Sequence, residues 1–144
     1  MPTSPEASYV VFDTDAASLA HKGRLTAGLS QHLTGNVACV TFITVGELHK
    51  WAEIRSWGPR TRDELEDWLG RVFKLPYTED VARTRGGIAA RAERRGRKRP
   101  VNDTWVAACC LAFGVPLLTL NRKDFVDFAE HEGLVLLSTE EPST

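Results

Sequence analysis

Four short apolar runs, separated by stretches of helical periodicity, constrain this chain more than any other feature. They are Tyr9 to Phe12, Val37 to Phe42, Pro116 to Leu120 and Leu134 to Leu137, each of the length of a strand buried on both faces. Val45 to Trp57 sets Leu48, Trp51, Ala52 and Ile54 at helical intervals, and Thr61 to Val72 opens with Thr61 and Glu64 in capping-box spacing. Gly58-Pro59 separates these two helices. Thr78 can cap a helix reaching about Arg95, and Asn102 another that ends near Phe113, before Gly114 and Pro116. A last short helix is expected after Leu120. Strands interleaved with helices predict an α/β domain with a mainly parallel sheet, whose ligands bind beyond the carboxyl ends of the strands.

With 144 residues, 42% hydrophobic and 26% charged, the chain reads as a single domain spanning 1–144. Its Pro- and Ser-marked ends, 1–8 and 140–144, are expected to be flexible. No apolar run approaches the roughly eighteen residues of a membrane span, and residues 1–8 lack the basic start and apolar stretch of a signal peptide. A cytoplasmic protein without a membrane partner is expected. Cys39, Cys109 and Cys110 form an odd set without zinc spacing, inside apolar runs where cysteine acts as a small hydrophobe.

The net charge of -1 conceals a strong asymmetry: Arg83 to Arg99 holds eight basic residues and one acid, leaving ten basic and eighteen acidic residues elsewhere. Such a field can hold a polyanion at one region while the acids gather a bridging cation; a merely solvated basic helix end is the competing account.

The acids decide between these accounts. Asp13 directly follows the run Tyr9-Val10-Val11-Phe12, so it should emerge at a strand's carboxyl end, with Asp15 two residues on; either could instead cap the helix that follows. Glu47 lies in line with Trp51 and Ile54 on an apolar helix face. Thr44-Val45-Gly46-Glu47 also fits a capping box, which by itself would account for Glu47. Asp103 follows Asn102 at a helix start, where the dipole favours a carboxylate, and Asn121 and Asp124 follow another apolar run. Asp13, Glu47, Asp103 and Asp124 thus come from distant parts of the chain toward one edge. Gathered acids repel, and a hard divalent cation, Mg²⁺ or Mn²⁺, is the usual remedy; phosphodiester hydrolysis can use that arrangement. His21, His32, His49 and His131 lack ligand spacing and read as surface or satisfied core groups, while Trp51, Trp57, Trp68 and Trp105 read as core or dimer contacts.

From Tyr9 to about Leu137 the chain resembles PIN-domain ribonucleases, and within them the VapC-type toxins of toxin-antitoxin pairs. The resemblance rests on four segments in order. They are Val10-Val11-Phe12-Asp13-Thr14-Asp15, Thr44-Val45-Gly46-Glu47-Leu48, Asn102-Asp103-Thr104-Trp105-Val106-Ala107-Ala108 and Leu117-Leu118-Thr119-Leu120-Asn121-Arg122-Lys123-Asp124-Phe125. It implies a PIN-like domain with a central sheet of four to five strands flanked by helices, and a metal-dependent endoribonuclease. It further implies Asp13, Asp103 and Glu47 as metal-binding acids, Asp124 as a further catalytic acid, and Thr14, Asp15, Thr119 and Asn121 as the supporting pocket. Arg91, Arg94, Arg95, Arg97, Lys98 and Arg99 would hold the RNA backbone. A VapB-type antitoxin and a homodimer are implied as partners. The chain departs from many relatives at Asp15, where they carry Asn or Ser, and at Asn121, where they place a fourth acid.

Two other functions fit parts of the sequence. A non-catalytic RNA- or protein-binding module would use the arginines and leave the acids as caps. Asp13-Thr14-Asp15 after a strand also resembles the start of a haloacid-dehalogenase-type phosphatase, with Asp13 as nucleophile. That family expects Thr or Val where Ala17 stands.

Overall fold

The structure, a computed structural model, describes residues 8–137 and 139–140. Strands β1 (Ser8–Phe12), β2 (Asn36–Val40), β3 (Phe73–Lys74) and β4 (Leu117–Leu118) form one parallel sheet in the spatial order β3-β2-β1-β4. Helices α1 (Thr14–His21) and α2 (Ala27–Ser30) connect β1 to β2, and α3 (Phe42–Ile54) and α4 (Pro59–Arg71) connect β2 to β3. Helices α5 (Glu79–Arg94) and α6 (Val101–Phe113) lead to β4, and α7 (Arg122–Glu132) follows. This is the expected α/β architecture. The connections run to one side from β1 to β2 and β3, then cross to β4 on the other side, so the strand order reverses between β1 and β4. A reversal of this kind opens a crevice at the strands' carboxyl ends.

Alternation along the strands assigns side chains to two cores. Val11, Cys39 and Leu117 face one side, where they pack with Val81, Ile88 and Ala92 of α5, Val106 and Cys110 of α6, and Phe125 and Phe128 of α7. Val10, Phe12, Val40 and Leu118 face the other, against Ala16 and Ala17 of α1, Leu48 of α3 and Leu65, Trp68 and Leu69 of α4. Both faces are covered, which is why these strands read as continuous apolar runs rather than alternating ones. Cys39, Cys109 and Cys110 are free and buried, as expected of small hydrophobes. Among the described residues no helix is long and apolar enough to cross a membrane.

Several helix starts differ from the sequence reading. Helix α3 begins at Phe42, two residues before Thr44, because the Thr41 side chain accepts from the Thr44 N–H at 3.3 Å; the β2 run therefore stops at Val40. Helix α4 begins at Pro59 after Gly58, with Pro at N1 supplying a preset φ, so the Thr61–Glu64 capping box does not form. Pro100, not Asn102, occupies the N-cap position of α6. The cap at Thr78 does form, accepting from the Val81 N–H, and Gly114 closes α6 in the left-handed region at φ +65°. The run Leu134 to Leu137 is reduced to one bridge, Leu117 to Leu136, while two-residue β3 adds a strand the sequence did not announce. Of the ends expected to be flexible, 1–7 and 141–144 lie outside the described residues. Ser8 opens β1, and the Glu140 carbonyl accepts from Gln31 Nε2.

Candidate active site

Asp13 stands where β1 turns into α1. The Asp13 N–H donates to the Leu118 carbonyl at 2.9 Å, which fixes the end of β1 to the end of β4. Asp13 occupies the N-cap position, but its side chain makes no capping bond; instead Oδ2 accepts from the Thr119 hydroxyl at 3.0 Å. The same Thr119 oxygen accepts from the Asn121 N–H, so the turn after β4 orients the hydroxyl toward the acid. Asp13 is only 6% exposed. Burial pushes its carboxyl up to about 6; the Thr14 N–H and the Thr119 hydroxyl resist this, and the negative charges of Asp15 and Glu47 add to it.

Three other elements present polar groups to this point. Glu47 does not close a capping box, since the Thr44 N–H is held by Thr41. Its Oε1 accepts from the Thr14 hydroxyl at 2.6 Å, its Oε2 from Asn102 Nδ2 at 3.4 Å, and Thr14 lies 3.2 Å from the Thr44 hydroxyl. Thus α1 and α6 both hold a carboxylate carried by α3. The apolar face read around Glu47 is partly open: Trp51 is half-buried and Ile54 is 73% exposed. Asp15, in the first turn of α1, accepts from Asn121 Nδ2.

Asp103 lies in the first turn of α6. Its carboxyl is raised to about 6 by burial first and then by the charges of Asp13, Asp124 and Glu47, with Arg99 opposing. Asp13, Glu47, Asp103 and Asp124, from four elements, therefore share one electrostatic pocket at the carboxyl ends of β1 and β4.

The basic residues divide. Arg91 holds Glu132 through two hydrogen bonds of 2.8 and 2.9 Å, and Arg95 meets Asp127 at 2.5 Å, so both tie α5 to α7 and a phosphate would have to compete for them. Arg94, Arg97 and Lys98 are exposed, with Lys98 Nζ 3.9 Å from Glu93. Arg99 turns inward, donating to the Asp124 carbonyl at 3.3 Å beside Asp103.

Sequence reasoning missed three polar residues around this region. Asn102 reads as a cap but holds Glu47. Arg85, not singled out, packs its guanidinium 5.2 Å from the centre of the Trp105 ring. His21 is not a satisfied group: it is buried, neither ring nitrogen has a hydrogen-bond partner, and its ring lies 5.2 Å from that of Trp57. Burial holds the His21 imidazole down to about 4, with the Lys22 charge adding to the effect, so it is neutral at pH 7. A composition pattern gives no signal for contacts like these, whose partners are distant in sequence or aromatic.

The donor set is carboxylate with hydroxyl and amide support, the chemistry a hard divalent cation takes, and such a cation would relieve the part of the Asp13 and Asp103 elevation that comes from neighbouring carboxylates rather than from burial. Among the described residues no three His, Cys, Asp or Glu side chains stand close enough to hold a metal ion, so side-chain rotation must complete any such shell. A cavity of about 490 Å³ opens at the opposite edge, beside Ser8, Asn36 and Pro116 at the amino ends of the strands, away from these acids.

Comparison with known proteins bears on the family and the fold. The chain is 32% identical over 102 residues to Ribonuclease VapC2 of Haemophilus influenzae strain Rd, covering 71% of this chain and 73% of that protein. It is 27% identical over 139 residues to Ribonuclease VapC5 of Mycobacterium tuberculosis, covering 92% and 93%. Its fold is similar to a chain in the structure of VapBC-1 from nontypeable Haemophilus influenzae, with a TM-score of 0.77 at 24% identity over 91% of this chain and 98% of that one. A chain of VapBC2 from Rickettsia felis, bound to a promoter DNA fragment, gives 0.75 at 17% identity over 89% and 96%. Residues 8–131 match the PIN domain family, and the chain belongs to it.

Proposed function

We propose that this chain is an endoribonuclease dependent on Mg²⁺ or Mn²⁺, acting on single-stranded or looped RNA, and the toxin of a VapBC-type toxin-antitoxin pair. Membership of the PIN domain family and relatives named Ribonuclease VapC support the nuclease assignment, and similarity to VapBC complexes supports the pairing. The observation that carries the proposal is geometric: at the strand-order reversal Asp13 is held by Thr119, and Glu47 is held by Thr14 of α1 and Asn102 of α6, which sets these carboxylates beside Asp103.

Asp13 and Asp103 are the principal ligands of the cation in this proposal, and Glu47 the third. Thr119 fixes one Asp13 oxygen and leaves the other for the ion, while Thr14 and Asn102 hold Glu47 from opposite sides. Asp124 deepens the negative field, and Asp15, held by Asn121, supports it from α1. When bound, the ion lowers the proton affinity of an attacking water and neutralises charge on the phosphate. In the hydrolysis, the water oxygen bonds to phosphorus as one phosphorus–oxygen bond to ribose breaks, and the departing oxygen gains a proton. A VapB-type antitoxin would present cationic groups to the same acids, and a second copy of the chain is the expected dimer partner. Free, buried cysteines fit a cytoplasmic setting.

The test is cleavage of end-labelled structured RNA by purified chain, free of any partner, in Mg²⁺, Mn²⁺ or EDTA, beside a folded Asp13→Asn variant. Metal-dependent cuts absent from the variant are expected. Because water is the nucleophile, the products should not end in a 2′,3′-cyclic phosphate. A folded chain that binds several such RNAs and cuts none would instead make the acids structural and the domain a binding module.

A further inference from the structure

Beside the acidic pocket lies a cavity of about 240 Å³ walled by Arg85 and Glu93 of α5, by Lys98 and Arg99, and by Val101 and Thr104 of α6. Three cationic side chains face it against one carboxylate. Its location is set by consecutive residues: Thr104 lines the cavity and Asp103 belongs to the acids, so the first turn of α6 borders both spaces. Arg99 spans them, lining the cavity while donating to the Asp124 carbonyl.

Both arginines are incompletely satisfied. The Nε atoms of Arg85 and Arg99 are shielded from solvent and have no hydrogen-bond partner. Folded proteins rarely keep buried N–H groups in that state without a ligand or an ordered water to accept from them. Arg95 has a similar Nε, yet its guanidinium already faces Asp127. Among the described residues the Arg85 guanidinium meets no carboxylate; it sits over the Trp105 ring, 5.2 Å from its centre, a contact that does not use its donors. It is the charge of Arg85, Lys98 and Arg99 around one cavity, with Arg85 free of any described carboxylate, that suits a tetrahedral oxyanion, since the shielded Nε atoms themselves lie out of a ligand's reach. The cavity has room for one phosphate and several waters.

We propose that this cavity is a phosphodiester subsite that seats an RNA phosphate flanking the cleaved one, with Arg85 as the positioning residue that sets the register of the strand. The proposal rests on the ribonuclease assignment and adds to it a second contact point and a residue outside the expected basic cluster. It also separates Arg85, which meets no carboxylate among the described residues, from Arg91 and Arg95, which are paired with acids of α7.

Equilibrium binding tests it in the full chain carrying Asp13→Asn, with a fluorescein-labelled twelve-nucleotide single-stranded RNA, in EDTA, over a range of salt. Adding Arg85→Gln should weaken binding about tenfold and reduce the salt slope by about 0.7, one phosphate contact. Arg83→Gln removes the same charge from an exposed part of the same helix, where Arg83 is paired with Glu79 and Asp80, and should have little effect. Arg85→Lys, which keeps the charge and loses the fork, should fall between. In the otherwise wild-type chain, one uncharged methylphosphonate next to the cleaved bond should raise KM with little change in kcat, and the same substitution should cost nothing further in Arg85→Gln. Equal effects of Arg85→Gln and Arg83→Gln, or equal methylphosphonate penalties with and without Arg85, would overturn the subsite. If Arg85→Gln fails to fold, Arg85→Lys and Lys98→Gln carry the comparison. Wild-type chain that cuts no RNA, with an Asp13→Asn chain that binds none, would show instead that the ribonuclease assignment has failed, and the subsite falls with it.

Discussion

Asp13 is a carboxylate whose buried position disfavours its charge unless a proton or a cation neutralises it. Its carboxyl moves from the ordinary 3.8 to about 6 in the folded chain, so between those values the folded state keeps a proton that the unfolded state releases. The associated stability is complete below about pH 4 and is lost as pH rises through 6. Asp13→Asn removes the buried charge. In EDTA the variant should therefore be the more stable protein above pH 6, by on the order of 2 kcal/mol, with the advantage fading toward pH 4. Urea unfolding of both proteins at pH 4.5, 6 and 7.5 measures this, and an advantage that does not change with pH would contradict it. The opposite shift of His21 is common to both proteins and cancels in the difference. At this scale the sequence was informative where chemistry sits beside an element boundary, as with Asp13 after its apolar run. It was silent on the bond from Thr14 to Glu47, because the partners are 33 residues apart and only the fold brings them together.

Helix α3 shows what decides an element and its function together. The sequence offers Thr44 as the cap and places Thr41 in the preceding strand, and which of the two caps the helix determines whether Glu47 closes a box or stands inside the helix with its carboxylate free for other partners. The structure chooses Thr41, fully buried, with its hydroxyl oxygen accepting from the Thr44 N–H. Thr41→Ala should cost about 1 kcal/mol in stability, the usual loss of a cap. It should also lower RNA cleavage by more than its effect on folding explains, since the start of α3 carries Thr44 and, one turn on, Glu47. Thr41→Ser should restore both. A variant with the expected loss of stability and unchanged cleavage would separate the cap from the site. The remaining boundary differences have similar causes. Pro59 overrode the Thr61 pattern by starting its helix earlier, and β3, with two residues, is too short to leave a periodic signal; by contrast Thr78 and Gly114 each had no local rival and the elements they bound were legible.

Over the whole molecule, the sheet with a core on each face brings the acids of four elements to one edge, while the basic segment from Arg83 to Arg99 runs along α5 toward the same edge. Sequence order conveyed β1, β2 and β4 and the position of Asp13, because these follow from apolar runs and what comes directly after them. It did not convey how the arginines are used, since that depends on the packing of α5 against α7. As the proposed cation ligands, the acids would make the fold as a whole sensitive to divalent ions. An ion that binds only the folded chain stabilises it by RT ln(1 + [ion]/Kd), about 2.7 kcal/mol at a hundredfold excess over Kd. Mg²⁺ or Mn²⁺ at pH 7.5 should therefore raise the melting temperature of the wild-type chain, and EDTA should reverse the rise. Protons compete for the same oxygens, so the gain should shrink as pH falls through about 6, where Asp13 and Asp103 take up protons. Asp13→Asn, lacking a principal ligand, should show little gain at any pH. A melting temperature that rises equally in wild type and variant, or one that is independent of pH, would mean that the ion acts on the general surface charge and not through the carboxylates at the ends of β1 and β4.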